Sequence, residues 1–347
     1  MGIQDLTKSI KKHAPDAITT LKPSDLPGTV YGVDVYSYLY PAKYNPGAKG
    51  KGQHIRFFFD MIVAWTQANK KLVMIFDGNT SAVTAKMDTV IKRQEVRQHN
   101  KDIITEMTNR IDTGVATQQD VDDLERATRN SIKISQTDTD DLKQLFSFLG
   151  VTYYQAQGEA DSVLAAMYSA GTVHGVISED SDMLTHGIGI VVRGLIDAGN
   201  RTAGVVRLFQ LSKILEGFGM SMTQFIDFCI LSGCDYCPRV SGTGPVGAFK
   251  HIQAGGTPLT ITINPPDEVY ELKYREAVRM FTEHTDNPDP VNGEGQPGMC
   301  NLKTWLLENT NITEKTVDEK LRVLSTQPAP VPVQITAKPR PKILPKK

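Results

Sequence analysis

Seven acidic side chains, Asp34, Asp77, Glu159, Asp161, Asp180, Asp182 and Asp235, stand where a folded chain would put metal ligands. Three of the clusters follow short apolar runs: Thr29-Val-Tyr-Gly-Val-Asp34, Leu72-Val-Met-Ile-Phe-Asp77 and Val173-His-Gly-Val-Ile-Ser-Glu-Asp180. Each run reads as a buried strand of a parallel sheet with its acid at the carboxyl end. In open α/β sheets that edge is where ligands bind, so three such strands aim their acids into one crevice. Like charges packed together need a counter-charge, and divalent cations are the natural one. The pattern is that of a metal-dependent enzyme.

The elements needed to hold these acids follow from the rest of the pattern. The apolar residues Phe57, Phe58, Met61, Ile62 and Trp65 recur at helical spacing between the first two strands, predicting a core helix over His54 to Ala68. Residues 86 to about 148 are polar and helix-favouring, with little apolar periodicity until Leu142 to Leu149, where Gly150 ends a helix. A weakly apolar helical pair between two strands reads as an exposed arch or cap. A helix follows Glu159 and stops at Gly171, and two more are predicted over Phe209 to Phe218 and Met222 to Ser232. From Thr326 onward there are six prolines, five basic residues and no acid, the composition of a flexible cationic tail.

Composition bounds the rest. The chain has 347 residues, 40% of them hydrophobic and 22% charged, ordinary for a soluble globular protein, with a formal net charge of -1. Seven acids reserved for one pocket leave the remaining surface more basic than that total. No signal peptide and no membrane-spanning apolar stretch is read, so an intracellular protein is expected. Cys234-Asp-Tyr-Cys237 has CxxC spacing, but no second ligand pair of that kind exists, and a reduced structural pair is expected rather than zinc.

In order, Met1-Gly-Ile-Gln-Asp-Leu6, Phe76-Asp-Gly78, Gly158-Glu-Ala-Asp161, Glu179-Asp-Ser-Asp182, Gly233-Cys-Asp-Tyr-Cys237 and Ser241-Gly-Thr-Gly-Pro245 resemble the motifs of the XPG-like, 5′ structure-specific nuclease family. The match runs from residue 1 to roughly 325 and is closest to the flap endonuclease branch. The resemblance implies an α/β fold: a central, mostly parallel sheet flanked by helices (a PIN-like, resolvase-like nuclease core) with a helical cap and a C-terminal helix-two-turn-helix region. It divides the chain into nuclease segments 1–97 and 141–235, a cap over 98–140, helix-two-turn-helix and C-terminal helices over 236–325, and a tail over 326–347.

The implied activity is magnesium-dependent 5′ flap endonuclease and 5′→3′ exodeoxyribonuclease action on branched DNA in replication and repair. Two Mg2+ ions, replaceable by Mn2+, are held by the seven carboxylates. Glu159, Asp161, Asp180 and Asp182 lie nearest the ions, while Asp34, Asp77 and Asp235 act largely through bound water. Asp161 departs from the branch, which usually has Glu; the shorter arm either moves an ion or leaves a water between. Lys86 and Arg93, seven apart and so on one helical face, are implied to clamp the scissile phosphate. Tyr40 is implied to stack on a base, against the rival reading of a core tyrosine beside Tyr36 and Tyr38. Gly2, Arg97, Arg126, Arg129 and Lys133 are further DNA-binding candidates. Gly242, Gly244 and Lys250 belong to the duplex-gripping turn, where the family often recruits K+.

Other expectations are narrower. Residues after Tyr40 and at Met61 lack the family's 3′-flap pattern, leaving Lys43, Lys49 and Lys51 as the nearby bases. The tail offers Gln334-Ile-Thr-Ala-Lys338 with no aromatic, so sliding-clamp binding is not expected. A monomer at a nuclear or cytoplasmic replication site is expected. The alternatives are a mainly exonucleolytic family member, a ribonuclease of the related PIN fold, and a catalytically inactive scaffold for branched DNA.

Overall fold

The computed structural model describes residues 2–43, 50–78, 87–131, 133–195, 204–262, 267–284 and 299–326, with backbone only at 87–94, 97, 129, 299 and 300. Its centre is a seven-stranded sheet: β1 (Ile18–Leu21), β2 (Val30–Asp34), β3 (Lys71–Phe76), β4 (Tyr153–Gln155), β5 (Gly175–Ile177), β6 (Ile190–Arg193) and β7 (Val206–Gln210), in the order β1-β7-β6-β5-β2-β3-β4. Pairings from β6 across to β4 are parallel, and only β7 runs antiparallel to its two neighbours β6 and β1. The expected mostly parallel α/β core is therefore present.

The period-two alternation of strand side chains builds two separate cores, one on each face of the sheet. In β3, Val73 and Ile75 join one core, and Leu72, Met74 and Phe76 join the other. The first face is covered by α1 (Leu6–His13), α7 (Ala160–Ser169), α9 (Leu211–Phe218) and α10 (Met222–Ser232). Helices α11 (Pro245–Gln253) and α12 (Glu268–Thr282) extend that side. The second face is covered by α2 (Val35–Lys43), α3 (Gln53–Gln67), α6 (Gln136–Leu149), α13 (Met299–Asn309) and α14 (Glu314–Ser325). The one-turn helix α8 (Asp182–Thr185) sits at the sheet edge that carries the acids. The α3 periodicity is fulfilled, with Phe58, Met61, Ile62 and Trp65 all buried.

The polar insertion folds as α4 (Met87–Asp112) and α5 (Gln118–Asn130), a hairpin packed against itself. Met107 and Ala127 are buried within it, and Arg110 pairs with Asp120 at 3.3 Å. Helix α4 runs through residue 98, and α6 continues past residue 140 to its left-handed stop at Gly150. One helix expectation is corrected: Phe209 and Gln210 finish β7 instead of opening a helix. Phe209 pairs with Val191 on one side and Ile18 on the other, and two ladders outweigh local helix preference. Among the described residues, no single helix is long and apolar enough to cross a membrane.

Candidate active site

Strands β5, β2 and β3 lie side by side and parallel, so their carboxyl ends deliver acids to the same edge. Asp34 is the last residue of β2, Asp77 follows β3 directly, and Asp180 comes three residues after β5. Chain order passes from β2 outward to β3 and β4, then returns to the opposite side of β2, the kind of switch point at which α/β sheets open a crevice.

Hydrogen bonds hold Asp34, Asp77, Asp180 and Glu159 in place. Asp34 accepts from the Ser178 hydroxyl at 2.9 Å and from the Ser37 backbone N–H at 3.2 Å. Asp77 accepts from the Ala160 N–H at 2.8 Å, which ties β3 to the first turn of α7. That turn carries Glu159 at its N-cap and Asp161 one residue inside. Gly78 makes this join possible, because a Cβ there would lie 2.2 Å from the Ala156 carbonyl oxygen. Asp180 accepts from the Asp182 N–H at 3.0 Å, and its own N–H donates to Ser178 at 3.0 Å. Tyr236, next to Asp235 beyond α10, donates its hydroxyl to Glu159.

The electrostatics report how closely these groups converge. Burial first, then the charge of Asp77 and to a lesser degree Asp180, pushes the Asp34 carboxyl up to about 7, against the bonds from Ser178 and Ser37. Burial, followed by the charges of Glu159 and Asp161, keeps the Tyr236 hydroxyl protonated, with Asp182 acting on it as well. Two groups emerge, Asp34 with Asp77 and Asp180, and Glu159 with Asp161 and Asp182; Asp235 sits one residue from Tyr236. Among the described residues, no group of three or more His, Cys, Asp or Glu side chains is gathered closely enough to hold a metal ion. An open, all-oxygen donor set of this kind suits a hard cation that retains several waters, as magnesium does.

Gly2 lies against this cluster. Its φ is +95°, and a Cβ would fall 2.1 Å from an Asp180 oxygen and 2.5 Å from the Ser181 hydroxyl, so any side chain would displace Asp180. The next residue, Ile3, donates its N–H to Ser181 at 2.9 Å. The start of the chain is thus threaded into the acid site.

The remaining expected residues are more scattered. Tyr40 is half-buried, 6.3 Å centroid to centroid from Tyr36, whereas Tyr38 is fully buried and bonded to Glu179. Arg126 is exposed and pairs with Asp123 of its own helix. Lys133 is exposed. Lys86 lies outside the described residues, as do the side chains of Arg93, Arg97 and Arg129, Lys49 and the tail with Gln334. Gly242 adopts φ +83°, Gly244 is the N-cap of α11 with Pro245 in its first turn, and Lys250 is exposed in its last turn. Cys234 and Cys237 are free thiols, pushed by burial up to about 12 and about 11 respectively, which disfavours the thiolates that zinc needs. The supporting groups Ser37, Ser178 and Tyr236 were not singled out from sequence. The only signal for the last two is their place inside the acid motifs.

A like-charged cluster with one carboxyl near neutrality makes a pH-dependent prediction. The ordinary value for Asp34 is 3.8 and its folded value is about 7, so between them the folded state keeps a proton that the unfolded chain has lost. The contribution of this group to stability therefore falls as pH rises from about 4 to about 7 and then levels off. In EDTA, Asp34→Asn is expected to melt several degrees higher than the parent at pH 8, with a smaller gain at pH 5. Magnesium should reverse the order at pH 8. Calorimetry at the two pH values checks this; a lower melting point for the variant at pH 8 in EDTA would mean that the Asp34 charge is already compensated.

An edge of acids on a mixed seven-stranded sheet, with a helical hairpin inserted and a glycine turn beyond, defines an α/β domain with an acidic crevice at the carboxyl ends of its strands. Residues 1–100 match the model of the XPG N-terminal domain and residues 150–235 that of the XPG I-region. Flap endonuclease 1 of Glycine max is 30% identical over 343 residues, covering 93% of this chain and 87% of that protein. Flap endonuclease-1 from Methanococcus jannaschii has a similar fold, with TM-score 0.66 and 19% identity over 89% of this chain and 95% of that one. The catalytic core of Rad2 in complex with DNA substrate gives TM-score 0.68 at 19% identity, over 93% of this chain and 100% of that one. The chain belongs to the XPG-type flap endonuclease family and is a nuclease.

Proposed function

We propose that this nuclease is a structure-specific 5′ flap endonuclease with associated 5′→3′ exonuclease activity, working by magnesium-dependent phosphodiester hydrolysis on branched DNA. The observation that carries the reading is the crowding of Asp34, Asp77 and Asp180 at the carboxyl ends of three adjacent parallel strands, where burial first and then the neighbouring carboxylates lift Asp34 to about 7. Such a cluster favours bound cations once its carboxyls are ionised. Two bound magnesium ions would activate a water and stabilise the leaving oxygen. Glu159, Asp161, Asp180 and Asp182 are the direct-ligand candidates, with Asp34, Asp77 and Asp235 orienting bound waters.

The chain's own residues do the rest. Ser178 and Ser37 aim Asp34, and Tyr236 aims Glu159. Lys86, next in sequence before α4, and Arg93 in its first two turns would neutralise charge on the scissile phosphate. Tyr40, half-buried beside Tyr36, would stack on an unpaired base. The Gly242 to Pro245 turn presents the start of α11 to a duplex phosphate, with Lys250 further along and K+ a candidate ligand of the turn. The α4–α5 hairpin would arch over the acids and admit a single strand while excluding a duplex, with Arg97, Arg126, Arg129 and Lys133 as its phosphate contacts. A neighbour of the same fold has been solved with DNA substrate, which supports branched DNA as the partner. A monomer and independence from a sliding clamp belong to the same proposal.

End-labelled 5′-flap, nicked, gapped and single-stranded DNA, each with magnesium and with EDTA, tests the reading. Magnesium-dependent cleavage near the base of the 5′ flap, fastest on that substrate, is expected. Equal cutting of unbranched single strands would remove the structure specificity, and binding without cleavage would leave a scaffold.

A further inference from the structure

The junction where the helical hairpin returns to the core is held by one lysine. Lys43 ends α2, the helix that begins immediately after Asp34. Its ammonium donates to the Asp138 carboxylate at 2.5 Å and to the Lys133 carbonyl at 3.0 Å, across 95 and 90 residues of chain respectively. Asp138 is also the third residue of α6 and closes the capping box that Ser135 opens. It accepts from the Ser135 N–H at 2.6 Å and the Ser135 hydroxyl at 2.7 Å. Burial alone would push the Asp138 carboxyl up, but Lys43 and Ser135 outweigh it and hold it below the usual carboxylate range. One turn further on, Asp141 lies 3.3 Å from the buried ring of His54 in the first turn of α3.

These contacts are not those of a lysine waiting for a phosphate. The Asp138 side chain is only 10% exposed and that of Lys43 32%, so the pair is partly withdrawn from water and less screened than a surface pair. The Lys133 carbonyl belongs to the segment between α5 and α6, the return leg of the hairpin. The same ammonium therefore grips the return leg, the cap of the next helix and the end of the helix that follows Asp34.

We propose that Lys43 and Asp138 form the anchor of the helical cap, fixing where its return leg meets the core and so setting the opening through which a single strand reaches the acids. Lys43 is a positioning residue for strand selection, not a DNA contact; this rests on the cap reading given above. Breaking the anchor leaves the acids intact but lets the cap shift, which slows the correctly threaded strand and relaxes the requirement for a free end. A misplacement of about 1 Å at such a site costs on the order of 10²-fold at most in rate.

The experiment uses the full chain and two substrates: a 5′ flap with a free end, and the same flap with streptavidin bound to a 5′ biotin before mixing. Single-turnover cleavage is measured for the parent, Lys43→Met, Asp138→Asn, the double variant and Lys43→Arg. We expect the parent to cut the free flap at least tenfold faster than the blocked one. Lys43→Met and Asp138→Asn should each slow the free flap about tenfold and narrow the free-to-blocked ratio. The double variant should be no worse than either single one, because both remove the same link. Lys43→Arg should restore the ratio. Loss of helix packing without a cap role would lower the melting temperature and leave the ratio unmoved, which overturns the proposal. If Lys43 met DNA directly, Asp138→Asn would free it and tighten binding, and that result also overturns it. A parent that cuts both substrates equally removes the threading cap itself, and the anchor with it. A parent that discriminates while both single variants discriminate equally well removes the anchor alone.

Discussion

Asp180→Ala and Asp182→Asn are expected to abolish cleavage while preserving flap binding. Asp180 stands between Asp34 and Asp182: it raises the Asp34 carboxyl by its charge and accepts the Asp182 N–H. Asp182 is buried, 2% exposed, and its charge reaches Tyr236, Cys229 and Cys234. On the proposed metal-dependent reading, cations held by these carboxylates would supply several kcal/mol of transition-state stabilisation, so losing a direct ligand should cost on the order of 10³-fold or more. On the same reading flap affinity would come mainly from phosphate contacts elsewhere, so binding measured in calcium should change little. Removing a negative charge from the site should, if anything, tighten it. Cleavage within tenfold of the parent in either variant would take that residue out of the metal site.

Lys86→Ala and Arg93→Ala are expected to lower the single-turnover rate by on the order of 10²–10³, the scale of losing one preorganised electrostatic stabiliser. Helix α4 opens at Met87, so Arg93 lies within its first two turns, on the stretch that follows the Asp77 strand end. Arg93→Lys should recover only part of the rate, since an ammonium cannot reproduce a bidentate grip on phosphate. Rapid-quench kinetics at saturating enzyme separates chemistry from docking. An unchanged rate with weaker binding would make both residues docking groups only.

Much of the site was legible because its chemistry is local in sequence. A buried strand ending in an acid is a run of four to six apolar residues followed by Asp, and β2 and β3 carry that signature before any partner strand is known, whereas in β5 Ser178 and Glu179 separate a shorter run from Asp180. The α3 stripe and the Gly150 stop were readable for the same reason, since a 3.6-residue period and a left-handed glycine are properties of the segment itself. The glycine turn before Pro245 belongs in this group. Sequence by itself thus determined which acids end β2 and follow β3, the α/β class and the inserted polar helices.

Tertiary structure alone decided what depends on meetings between distant segments. Strands β1, β6 and β7 are four or five residues long and carry little pattern; they exist because each finds a neighbour to pair with, which is why Phe209 joins a strand. No spacing rule announces that Ser178 braces Asp34 across 144 residues, that Tyr236 reaches Glu159 across 77, or that Gly2 leaves no room for a side chain beside Asp180. Lys43 makes the point most directly: from sequence it was one of three lysines near a flap pocket, and in the fold its charge is spent on Asp138. A hydrogen bond or a steric limit belongs to a pair of atoms, and only the folded chain determines which atoms meet.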